Sequence, residues 1–277
     1  MNSHANARRT CWMMGVVAAI FAGGGAAPGA APATRPAAAT AVVAAARDVL
    51  SRHGDAIVTV SAVSKTLVAG MGRQFGQADE QPVEARGVVI DPTGLTVVPY
   101  SSLDRSAGNS GFTLYQDGEE LKIERRWSLS AVKLHLADGT ELPARLVLKD
   151  ADLDLAFIRP DAIPPGKPIA SLPLAAAPAL APLDELILVS RLGQHLDRAL
   201  TVRLDRVTAV MRKPRTLYLP GDAAGTDVAA FAADGQLVGI ITLRWTRAGT
   251  RSASAAVVIV PAEDVLEVAR QALAKGE

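Results

Sequence analysis

Cysteine is nearly missing from this sequence: Cys11 is the single one in 277 residues. Disulfide frameworks and multi-cysteine zinc sites are thereby excluded. Aromatic residues make up only 4%, too few for a base-stacking platform on single-stranded nucleic acid. An excess of one charge is also lacking. Lys and Arg number 29 against 28 Asp and Glu, a net charge of +1. That balance predicts no dominant nucleic-acid surface and no nucleic-acid partner. No repeat at a solenoid period is found. Apolar residues, by contrast, reach 49%, which excludes a disordered tail or a collagen-like fibre. The length suits one large domain or two small ones.

The N-terminus has the layout of an export signal. Arg8 and Arg9 precede an uncharged run from Cys11 to Ala22, and Ala31-Pro32-Ala33 follows. A positive n-region, a short apolar stretch and a small-residue cleavage site are the parts of such a signal. The run is shorter than the roughly 20 residues of a spanning helix. Residues 1–33 are therefore assigned to a signal peptide, and the protein is expected to be secreted or periplasmic. Membrane contact is expected only through an uncleaved signal segment. Cleavage after Ala33 removes Cys11 and His4 and leaves His53, His135 and His195.

Residues 34–40, rich in Ala, Thr and Pro, are read as a linker. Val42, Val43, Ala46, Val49 and Leu50 recur at helical spacing up to a stop at Gly54. Strands then dominate. Residues 56–60 are short and β-branched. Residues 87–98 form a hairpin around Asp91-Pro92-Thr93-Gly94. Residues 132–136 alternate and meet a turn at Asp138-Gly139. Further apolar runs of strand length lie at 155–158, 186–189, 237–241 and 257–260. Pro261 starts a helix with Val265, Val268, Ala269 and Ala272 on one face, and Glu263 and Asp264 in its first turn. Short strands at turn-bounded intervals, with a helix at each end, predict an all-β barrel or sandwich.

Five segments in order resemble the trypsin-fold protease domain of the HtrA family. Gly87–Val98 is similar to its glycine, apolar, DP-x-G hairpin, which leads into the catalytic histidine. Residues 136–144 resemble its LADG hairpin, and Asp152–Ala156 the DLA strand start that carries the catalytic aspartate. Asp234–Ile240 is similar to the hairpin after the nucleophile loop, and Val258–Pro261 to the closing strand and helix. The resemblance spans roughly residues 42–273 and implies that 41–277 form one trypsin-like domain. It implies two six-stranded antiparallel barrels with short N- and C-terminal helices, and Asp154 at the groove between them. No PDZ domain is expected before Glu277. Residues 104–130 are read as an inserted hairpin.

In register with these motifs, the histidine position is occupied by Ser101, the aspartate position by Asp154 and the nucleophile position by Thr226. Asp227 becomes the nucleophile candidate if the loop carries a gap. Serine has no group of suitable pKa to act as a base near pH 7. The family's loop reads Gly-Asn-Ser-Gly-Gly-Pro, whereas this chain has Ala224-Gly225-Thr226-Asp227-Val228-Ala229. An acid beside the expected oxyanion hole opposes a developing negative charge. No catalytic set is intact, and no metal or cofactor is predicted.

Other polar groups have structural explanations. Gly108-Asn109-Ser110-Gly111 spells the nucleophile motif in the wrong place and is read as a turn. His135 is expected on the exposed face of a strand. His195 falls in a loop that matches no catalytic position. His53, at a helix end, is expected as a cation that complements the dipole. Asp150, Asp152 and Asp154 lead a solvated turn without a calcium loop. Arg212-Lys213-Pro214-Arg215 is a solvated basic turn. Three functions follow. The leading one is an exported, inactive protease homologue that binds an extended peptide or protein partner. The second is an active serine- or threonine-type endopeptidase with a non-standard base, His135 or His195. The third is a structural β module.

Overall fold

The computed structural model describes residues 37–70, 73–104, 111–116, 119–221, 227–248 and 252–275. Helix α1 (Ala37–His53) comes first. Its buried residues Val42, Ala46 and Val49 share one stripe, as the helical period requires. The helix takes in residues 37–40, read above as linker, because alanine at 37–39 favours helix. It stops at His53, and Gly54 opens a short 3₁₀ turn.

Seven strands follow in the first half. They are β1 (Ile57–Gly70), β2 (Arg73–Val89), β3 (Thr96–Pro99), β4 (Gly111–Gln116), β5 (Glu119–His135), β6 (Glu141–Asp150) and β7 (Leu155–Pro160). Six of them close a ring, β1-β2-β3-β7-β6-β5 and back to β1, with β4 attached to β5. A one-turn helix, α2 (Tyr100–Leu103), leaves β3. The second half has β8 (Glu185–Arg191), β9 (Leu200–Met211), β10 (Leu217–Pro220), β11 (Ala229–Ala232), β12 (Leu237–Ala248) and β13 (Ser252–Pro261). They form a closed barrel in the order β10-β13-β12-β11-β8-β9, and helix α3 (Ala262–Ala274) ends the fold. The sequence expectation of two six-stranded antiparallel barrels with terminal helices is met.

Three buried clusters account for this architecture. One fills the first barrel with Val58, Val60, Leu134, Leu142 and Ile158. Another fills the second with Leu186, Leu188, Tyr218, Val238 and Ile259. The third joins the barrels to α1 and α3, packing Val97 and Phe157 with Phe231, Val189, Val49 and Val265. Every strand of a closed barrel has an inner and an outer face, so the period of two sorts residues between these clusters and solvent. Close strand approach fixes Gly239: a Cβ there would lie 1.9 Å from the Val260 carbonyl oxygen.

The hairpins predicted at 87–98, 136–144 and 234–240 are present. The arms of the β1–β2 hairpin beyond residue 60 were not anticipated. Residues 61–86 are rich in polar side chains and carry little apolar alternation. The inserted hairpin is β4 paired with the start of β5, while residues 108–110 of the Gly-Asn-Ser-Gly segment lie outside the described residues. Among the described residues, no helix is long and apolar enough to cross a membrane.

Candidate functional site

Two sequence-predicted residues meet at the groove between the barrels. The α2 turn carries Ser101, and the residue before β7 is Asp154, 3% exposed. Asp154 takes a left-handed backbone conformation, φ +58°, one that aspartate tolerates better than most side chains. Its own carbonyl accepts a hydrogen bond from the Tyr100 amide at 2.9 Å. The Ser101 amide donates to carboxylate oxygen Oδ1 at 2.6 Å, and the Ser101 hydroxyl to Oδ2 at 2.8 Å. From the other barrel, the Leu243 amide on β12 donates to Oδ2 at 2.8 Å. The carboxylate thus ties α2 to β12 across the groove.

Burial pushes the Asp154 carboxyl up to about 6, while the bonds from Leu243 and Ser101 pull it down. Three donors to a carboxylate favour the charged form, but desolvation outweighs them. Ser101 fills the place where the resemblance expects an imidazole, and no histidine is among the partners of Asp154. The hydroxyl donates a hydrogen bond to that carboxylate, and no imidazole stands between them.

Thr226, the predicted nucleophile, lies outside the described residues. Its neighbour Asp227 is described, and it forms an ion pair with Arg203 of β9 at 2.6 Å. Burial raises the Asp227 carboxyl, and Arg203 opposes that rise. The next residue, Val228, is fully buried. Its amide donates to the Val189 carbonyl at 3.3 Å, and its carbonyl accepts from the Ile241 amide at 3.0 Å.

The histidines are elsewhere. His195 is exposed in a 3₁₀ turn of the second barrel. His53 lies in the last turn of α1, at the helix end where it was expected. It stacks on Phe231 with ring centroids 5.8 Å apart, and burial lowers its pKa. His135 corrects the sequence expectation most clearly: it is 7% exposed, not a surface residue. Its Nε2 lies 2.7 Å from the Ser61 hydroxyl of β1, and its Nδ1 3.4 Å from Glu141 of β6. Burial lowers its pKa, Arg198 adds to that, and Glu141 and Glu84 oppose it. With Nδ1 protonated toward Glu141, the Ser61 hydroxyl donates to Nε2. Alternation within β5 could not show this. The cover comes from the loop before β9, where Arg198 pairs with Glu84 at 3.0 Å.

The Asp150 carboxylate accepts amides of Asp152 and Leu153 at 2.9 and 3.0 Å, which makes the acidic run a turn. Residues 212–215 are exposed.

Fold and groove together define a trypsin-like two-barrel protease scaffold. No protein-family model and no curated protein matches the sequence. A solved structure of a single-residue variant of the HtrA-type protease AlgW, with a decapeptide, matches at a TM-score of 0.54 and 17% identity. The match covers 84% of this chain and 68% of that one. At that identity the likeness carries the fold.

Proposed function

We propose that this protein is an exported, catalytically inactive homologue of trypsin-like, HtrA-type proteases that binds an extended peptide or protein segment between its barrels. The observation that carries this reading is the closure of Ser101 on Asp154. Acyl transfer needs a base within hydrogen-bond reach of a nucleophile. The acid remains, but a hydroxyl occupies the place of the base. The Asp227–Arg203 pair, an acid held beside the expected nucleophile position, supports the same conclusion.

Binding survives loss of chemistry because it uses different groups. Among the described residues, those of β12 beyond Leu243 pair with β13 on one side only. Their other backbone edge is available to an extended peptide, whose main chain supplies the hydrogen bonds. The solved relative carries a decapeptide, which is consistent with a scaffold suited to peptides. Export rests on residues 1–33, with the domain taken as 41–277.

A second reading is favoured by one observation, the 2.7 Å contact between Ser61 and His135. It would make Ser61 a nucleophile. Ser61 sits mid-strand, paired with Glu84 on one side and Lys133 on the other. Ladder amides are not free to hold an oxyanion, so the inactive reading is preferred. The test is casein turnover by the mature protein, with Asp154→Ala and Ser61→Ala as controls. Equal background in all three supports the proposal. Turnover lost with either substitution contradicts it.

A further inference from the structure

The two strands that close the first barrel do so over a short stretch. β5 pairs with β6 only at Lys133–His135 against Glu141–Pro143. Past that seam both strands continue, and they diverge. Residues 123–130 of β5 pair with β1 on one side, and residues 144–150 of β6 pair with β7 on one side. Among the described residues, no strand pairs with 127–132 or with 144–149 on the sides that face each other. Two features start the divergence. Ala131 has φ +50° and lies at a register shift between β1 and β5. Pro143, the last residue of the seam, has no amide to donate.

A slot of about 680 Å³ lies between these edges, lined by 127–132, 144–149 and Lys275. Its depth is apolar: Trp127, Leu129 and Leu146 are half-buried and pack on the core of the first barrel. Its charge has one sign. Among the described residues, the lining holds Arg145, Lys149 and Lys275, and no acid. Arg145 is paired with Asp161. Lys149 Nζ lies 4.9 Å from the ring centres of both Tyr100 and Trp127, and it donates at 3.2 Å to the Tyr100 hydroxyl, which in turn donates to Asp104.

We propose that this slot is a second docking site, which takes an extended acidic peptide as an added strand between β5 and β6. The inference deepens the peptide-binding reading but places this peptide away from the inter-barrel groove. Six residues on each edge span about 20 Å of strand at 3.3 Å per residue. A strand of that length satisfies amides and carbonyls on both sides. It runs antiparallel to one neighbour and parallel to the other, a mixed pairing that sheets tolerate. Alternate side chains face Trp127, Leu129 and Leu146, and the others present carboxylates to Lys149 and Lys275.

The probe is a fluorescein-labelled hexapeptide of alternating valine and aspartate with blocked ends, read by fluorescence anisotropy on the mature protein. Saturable binding is expected, weakened about tenfold by Lys149→Glu with Lys275→Glu, both exposed positions. A counterpart with lysine for aspartate should not bind. A diazirine-bearing version of the peptide should crosslink to residues 127–132 and 144–149. Crosslinks at 99–103 and 243–248 instead assign the peptide to the groove, which overturns the slot and leaves the groove reading intact. Absence of binding, or binding unchanged by the two charge reversals, overturns the slot as well.

Discussion

Two serines of this protein sit beside groups that belong to hydrolase chemistry, and they sit on different faces. At the groove, Ser101 has an acid and no imidazole. On the outer face of the first barrel, Ser61 has an imidazole with an acid behind it. The first place retains the inter-barrel cleft but lacks the imidazole. The second has the imidazole but sits in a strand paired on both sides. Residue types alone therefore do not make a catalytic centre; open donors and an aligned base must coincide at one position.

Acidity separates the two places most strongly. The Asp154 carboxyl is raised from 3.8 to about 6 in the fold. Its contribution is fully present below the unfolded value and is lost as pH rises through about 6. The rise corresponds to about 3 kcal/mol at the upper bound. His135 runs the other way, since its pKa is lowered. Its contribution is present above 6.5 and is lost as pH falls below that value. Urea unfolding from pH 4 to 8 should show the Asp154 component as a fall in stability between about 4 and 6. Asp154→Asn should remove that fall, and His135→Gln should leave it in place. An unchanged pH profile in Asp154→Asn breaks the comparison.

Arg203→Ala should cost about 2 kcal/mol, measured by denaturant unfolding. It leaves the Asp227 carboxylate, with a side chain 10% exposed, without its guanidinium in a poorly solvated place. Arg203→Lys should recover part of the loss.

Ser61→Ala should cost about 1 kcal/mol, because it removes one hydrogen bond and leaves Nε2 of a buried ring unpaired. The pKa of His135, followed by its ring-proton NMR shifts, should move in the same variant. Ser101→Ala is expected to have the smallest effect on stability, since the Ser101 amide and Leu243 amide still hold the carboxylate. Its signature is a further rise in the Asp154 carboxyl pKa, read by carbon NMR.

The contrast between the two serines also shows which features the sequence carried. Turn residues such as Asp91-Pro92-Thr93-Gly94 and Asp138-Gly139 are local signals, and the hairpins they announced are present. The face of α3 followed from spacing alone, and Val265, Val268, Ala269 and Ala272 are buried. The placement of Ser101 beside Asp154 was accessible because each follows a hairpin or turn motif. His135 was not, because its cover comes from Arg198 and Glu84, distant in sequence and brought in by tertiary packing. The slot was hidden for the same reason: strand divergence depends on register, and residues 127–132 carry no turn signal. The helix-end place of His53 was legible, but its stacking was not, because Phe231 lies in the other half of the chain.

The central claim is that neither serine is a nucleophile. The most direct test is labelling with a fluorophosphonate probe, read by intact mass on the wild-type chain, Ser61→Ala, Ser101→Ala and Thr226→Ala. A working serine hydrolase forms a stable adduct at its activated hydroxyl, and loss of a single triad member suppresses turnover by as much as about 10⁶-fold. The account predicts no adduct on any of the four proteins. A stoichiometric adduct on the wild type that disappears in one of the variants would identify a nucleophile and contradict it.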